Sequence, residues 1–101
     1  MNFEDHALKA SADKACALLK ALANPHRLMI VCALLDREQS VGALAQMLGV
    51  RETVASQHLG LLRRDGVVST RRDGQTIYYA LQSGPARTLV ETLSGIFCAV
   101  A

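Results

Sequence analysis

Residues 49–66 read GVRETVASQHLGLLRRDG, and the fold of the chain turns on what this stretch forms. A helix that starts near Arg51 and is closed by Asp65-Gly66 turns Val54, Leu59, Leu61 and Leu62 inward and leaves Arg51, Ser56, Gln57, His58 and Arg63 accessible. Ser, Gln and Arg carry short or planar hydrogen-bonding groups that reach base edges and phosphate oxygens, so this face suits a DNA groove. The competing reading is an ordinary solvated helix face. His58 is open between a groove contact and a cap against the core.

The neighbouring segments weigh on that choice. Upstream, Ser40 can cap a helix over VGALAQML that ends at Gly49, so two helices meet at a tight break, as in a helix-turn-helix. Downstream, Val67 to Arg72 and Gln75 to Leu81 are β-rich runs joined at Asp73-Gly74, a dipeptide favoured in hairpin turns. The hairpin reads as a wing beside the second helix, with Arg71 and Arg72 near its tip. Both arginines are read as phosphate contacts rather than a solvated turn, because the wing follows the recognition helix. Tyr78 and Tyr79 alternate along the strand, so one is expected in the core and the other exposed.

Further out, Glu4 to Ala23 carries Leu8, Ala12, Ala15, Leu19 and Leu22 at spacings of four and three, an amphipathic helix whose small residues permit close approach of a second helix. Asn24-Pro25 is a cap followed by proline, which starts a second helix, apolar nearly all round, that runs to about Leu35. Asp36 to Gln39 reads as a polar turn. Ser83 to Ala101 reads as a closing helix capped at Ser83, with Leu89, Val90, Leu93, Ile96, Phe97 and Val100 as its apolar face. The expected order is four helices, a β-hairpin and a fifth helix: one mainly α winged helix-turn-helix domain over residues 1–101. The first and last helices carry more apolar surface than so small a domain can cover, which predicts a homodimer joined through them.

Composition narrows the function. The chain has 101 residues, half of them hydrophobic, and a net charge of +2. Between residues 51 and 75 five arginines face three acids, and elsewhere six basic and six acidic residues cancel, so the whole excess lies in the segment just described. No apolar run is long enough to span a bilayer and no basic start precedes one, so the chain reads as cytoplasmic, with no membrane partner. Cys16, Cys32 and Cys98 form no CxxC, and the three histidines are scattered, so neither a disulfide scaffold nor a metal site is expected. No Gly-rich phosphate loop, acidic pair or oxyanion element accompanies a Cys or His, so no enzyme and no cofactor is expected.

In this order, NPHRLMIVCALL, SVGALAQMLGV, SQHLGLLRRDGVV and RRDGQTIYYAL resemble the ArsR family of winged-helix bacterial repressors over nearly the whole chain. Cys32 within LMIVC and Cys98 within IFCAV resemble the two sensing cysteines of its dithiol, persulfide-sensing members, the BigR and SqrR type. That resemblance implies a homodimer bound to an inverted-repeat operator in double-stranded DNA and released when a reactive sulfur species bridges the pair. A repressor of the same fold responding to a metal, haem or a general oxidant is the alternative. The metal-sensing members carry a Cys-Val-Cys box where this chain has SVGALAQML, which offers no ligand atom. Arg51 and Val54 replace the small or hydroxyl residues common at the start of the recognition helix, and Cys16 has no counterpart in the dithiol pattern.

Overall fold

Asn24 and Pro25 divide the first two helices as the sequence predicts. The Asn24 side chain accepts hydrogen bonds from the backbone N–H of His26 (2.9 Å) and Arg27 (3.1 Å), and Pro25 occupies the first helical position, where a missing N–H costs nothing. The computed structural model describes residues 5–97. In chain order they form α1 (Asp5–Leu22), α2 (Pro25–Ala33), β1 (Gln39–Ser40), α3 (Val41–Leu48), α4 (Glu52–Arg64), β2 (Val68–Asp73), β3 (Thr76–Leu81) and α5 (Pro85–Phe97). The three strands make an antiparallel sheet in the order β1-β3-β2. This is a winged helix-turn-helix.

One device closes both helices of that motif. At the end of α3, Gly49 takes φ 70°, its N–H donates to the Gln46 carbonyl, and the Val50 N–H donates to that of Ala45. At the end of α4, Gly66 takes φ 73°, its N–H donates to the Arg63 carbonyl, and the Val67 N–H donates to that of Leu62. Each is a Schellman closure, which needs a left-handed residue that glycine supplies without a Cβ clash. Each aims the following segment: Gly49 turns the chain into α4, and Gly66 turns it into the buried strand start at Val67 and Val68.

The core draws on every element except β1. Ile30, Val31 and Leu34 from α2 and its end meet Leu44 of α3, Leu59 and Leu62 of α4, Val67, Val68 and Leu81 of the sheet region, and Val90 of α5. Only the last turn of α1 joins it, through Leu18, Ala21 and Leu22; Leu8 and Leu19 stay exposed. Arg27 fixes the elbow by donating from Nε to the Ala21 carbonyl (2.7 Å) and from Nη2 to that of Lys20 (3.2 Å), groups that the end of α1 leaves open. Arg87 of α5 likewise donates to the Leu81 and Leu35 carbonyls. At the far end of α5, Ile96 and Phe97 are 64% and 78% exposed. The radius of gyration, 14.9 Å, exceeds the value of about 13 Å for a compact chain of this length, because both terminal helices reach beyond the core.

Several expectations are corrected. Gln39, read as the end of a polar turn, and Ser40, read as a helix cap, also form β1, where Gln39 pairs with Tyr79 and Ser40 with Tyr78; two residues give no alternation to detect in sequence. Asp73 is the last residue of β2, paired with Thr76, so the hairpin turn is Gly74-Gln75, with Gly74 at the positive φ that a type II′ turn needs at its first position. Gly84, not Ser83, accepts the first backbone bond of α5, from the N–H of Thr88. Tyr78 and Tyr79 are both half-buried, because Arg71 covers the face that was expected to be open. The helix expected to reach about Leu35 ends at Ala33, and the Gln39 side chain donates to its carbonyl (3.0 Å).

An alanine at residue 66 would hold a Cβ in the left-handed region. Gly66→Ala is expected to cost about 1–2 kcal/mol, read as a lower urea midpoint at fixed protein concentration.

Candidate nucleic-acid interface

Along α4 the residues sealed against the core are Ala55, Leu59 and Leu62, at spacings of four and three. That stripe fixes the opposite one. At 100° per residue, Thr53, Gln57, Gly60 and Arg64 lie along the outward face, flanked by Ser56 and Arg63, and all six are exposed. Ser56, Gln57 and Arg63 are accessible as read from sequence, and Arg51 is exposed at the N-cap position, where its side chain makes no capping bond. Leu61 was expected inward, but its position falls outside the stripe and it is 38% exposed. Thr53 and Arg64 were missed. Treating Ala55 as an inward residue would have set the phase correctly.

His58 is corrected by the same geometry. It lies three residues after Ala55 and four before Leu62, so it points back towards α2 rather than outward. Its ring meets that of His26 edge-on, with centroids 5.4 Å apart and an interplanar angle of 83°, and its Nδ1 is buried with no hydrogen-bond partner among the described residues. Burial holds its pKa below the ordinary histidine value, helped by the positive charge of Arg27 and by His26. A neutral imidazole is therefore part of the seat of α4.

The wing arginines differ because successive strand residues face opposite ways. Arg71 lies over the ring of its cross-strand partner Tyr78, 4.9 Å from guanidinium carbon to centroid. Its Nε donates to both Glu38 carboxylate oxygens (3.1 and 3.2 Å), its Nη2 donates to Oε1, and Asp73 lies 3.9 Å from Nη1. The Arg71 hydrogen bond holds the Glu38 carboxyl below its usual pKa, and the same bond raises that of Arg71. Arg72 is exposed on the other face. Sequence reading gave both arginines one role, whereas the strand separates them.

Cys32 is half-buried on α2 and lines an apolar pocket of about 290 Å³ with Pro25, Leu28 and Met29. Helix α5 packs against α2, but Cys98 lies outside the described residues. Cys16 is exposed on α1. Among the described residues no group of three or more His, Cys, Asp or Glu side chains is placed to hold a metal ion, and no helix is long and apolar enough to cross a membrane.

Residues 24–70, from the cap of α2 into β2, match the bacterial regulatory proteins of the arsR family. Over 98 residues, 97% of this chain and 89% of the relative, the sequence is 44% identical to the transcriptional activator HlyU of Vibrio cholerae. The chain belongs to the ArsR family. The repressor BigR of Xylella fastidiosa has the same fold at a TM-score of 0.85, with 43% identity and 95% of each chain covered. Mb0332 of Mycobacterium bovis, whose winged helix-turn-helix domain is described as homodimeric, superposes at 0.80 with 31% identity over 95% of this chain and 89% of its own. HlyU and BigR are regulators of transcription, and the family resemblance read from the sequence holds on that ground.

The His58 geometry sets a pH dependence. Its folded pKa is lowered, so below the ordinary value of 6.5 the unfolded chain takes up the proton first; the stabilisation is complete above that pH and is lost as pH falls towards the folded value. Urea midpoints at pH 7.5 and 5.5 are expected to differ more for the parent than for His58→Leu.

Proposed function

We propose that this protein is a homodimeric transcriptional repressor that binds double-stranded DNA through the outward face of α4 and releases it when a reactive sulfur species modifies Cys32 and Cys98. One observation carries the DNA reading: a row of exposed hydrogen-bonding side chains on α4 is backed by a sealed apolar stripe, and among the described residues only Arg64 of that row is paired, with the adjacent Asp65. Helix α4 enters the major groove, Gln57 and Ser56 meet base edges, and Arg51, Arg63 and Arg72 meet phosphates. Dimerisation is supported by the exposed apolar residues of α1 and α5 and by the homodimeric relative, and it sets two copies of α4 about 34 Å apart on an inverted repeat.

The sulfur reading rests on the resemblance of Cys32 and Cys98 to a dithiol pair. It is supported by the place of Cys32 on a helix that touches both α4 and α5. A bridge from Cys32 to Cys98 ties the element behind the recognition helix to the helix that joins the dimer. A coupling of about 1–3 kcal/mol changes operator occupancy about 5- to 150-fold.

The α4 face is tested by two substitutions with different signatures. Gln57→Ala is expected to relax the ranking of operator variants, measured by fluorescence anisotropy. Gly60→Ala is expected to raise thermal stability, since glycine in a helix costs about 0.5–1 kcal/mol against alanine and nothing lies within 4 Å of an added Cβ, yet to weaken DNA binding by standing between helix and groove. A Gly60→Ala protein of unchanged affinity would count against the face. The thiol reading is tested with a persulfide donor: Cys32→Ser and Cys98→Ser are expected to stay on the operator, while Cys16→Ser leaves it like the parent. Release of Cys98→Ser as readily as the parent overturns it.

A further inference from the structure

The contact between Glu38 and Arg71 spans the sheet. Glu38 immediately precedes β1 and Arg71 belongs to β2, the two outer strands, while Tyr78, beneath the guanidinium, belongs to the central strand β3. The side of the latch that carries Glu38 is itself anchored. Gln39 donates to the carbonyl that ends α2, and Ser40 accepts from the Ala43 N–H at the start of α3, so the two residues that follow Glu38 tie it to α2 and α3. Towards its tip the wing has no comparable anchor: Arg72, Asp73, Gly74, Gln75, Thr76 and Ile77 are all exposed.

We propose that Glu38 is a positioning residue for DNA binding: through Arg71 and Tyr78 it latches the wing to the helix-turn-helix and so fixes where Arg72 stands relative to α4. Arg71 then acts inside the protein, not on a phosphate. Two of its three nitrogens donate to Glu38, the third faces Asp73, and its flat face rests on Tyr78, so a phosphate would have to displace an occupied arginine while Arg72 stands exposed on the opposite face. An isolated exposed ion pair adds little stability. This one ties the outer strand β2 to the residue that precedes β1, and its effect falls on the entropy of ordering the wing when DNA arrives.

The proposal rests on the reading that this chain binds duplex DNA, and the experiment separates the two. Operator affinity is measured against salt for the parent chain, Glu38→Gln, Arg71→Ala, the two combined, Arg72→Ala and the exchanged pair Glu38→Arg/Arg71→Glu, and amide hydrogen exchange is followed over residues 68–81 without DNA. A latch predicts that Glu38→Gln and Arg71→Ala each weaken binding about three- to tenfold with an unchanged salt slope, that combining them adds no further loss, and that the exchanged pair recovers most of the affinity. Arg72→Ala is expected to flatten the slope by about 0.9 for each phosphate that the arginine neutralises in the parent. In the free protein, Glu38→Gln speeds exchange near the wing tip. If Arg71→Ala flattens the slope as Arg72→Ala does, or if Glu38→Gln binds DNA as tightly as the parent or more so, the latch is wrong and Arg71 is a phosphate contact that Glu38 shields. If no variant changes the salt slope and the parent binds no duplex, the DNA reading fails instead, and the exchange rates alone decide whether the latch exists.

Discussion

Burial of Ala55, Leu59 and Leu62 behind α4 is the interaction on which the rest of the molecule depends. Each buried leucine contributes about 1.5–3 kcal/mol relative to an exposed one, more than the roughly 1 kcal/mol that a glycine such as Gly60 costs in a helix. The helix is therefore held from behind, and its outward face is free of any duty to the fold. A recognition surface needs that freedom, because hydrogen-bonding groups that must meet a partner cannot also be satisfied within the chain.

The scaffold around α4 works through backbone groups. Gly49 and Gly66 close the two helices of the motif, Asn24 and Ser40 cap α2 and α3, and Arg27 and Arg87 reach carbonyls that helix and strand ends leave open. No polar or charged residue is among the buried ones described. His58 is the nearest thing to an exception, a half-buried ring with a sealed nitrogen, and it joins the protonation of α4's seat to the stability of the domain.

Two parts of the surface ask for something outside the described chain. The ends of α1 and α5 carry exposed leucines, Ile96 and Phe97 beyond the reach of the core, which a second subunit could cover. The outward face of α4 and Arg72 carry polar and cationic groups that a duplex could meet. Cys32 lies on α2, the helix that touches both α4 and α5.

Local chemistry was legible in the sequence: the Asn24-Pro25 start, the Ser40 cap, the glycine closures and the hairpin each depend on one to four adjacent residues, and each was found within a residue or two. The face of α4 was legible in part, since Ser56, Gln57 and Arg63 were identified, while Leu61, His58, Thr53 and Arg64 were misassigned or missed by a phase error around Ala55. What the sequence alone determined is the order of elements from α1 to α5, apart from β1, because periodicity and capping are written in near neighbours, and, through the resemblance of its motifs, the family. Only the tertiary structure decided that residues 39–40 form a strand, that His58 meets His26, and that Arg71 is held by Glu38, 33 residues away, while Arg72 is not. Those outcomes depend on which distant side chains the packed core brings within reach, and no local pattern encodes that distance.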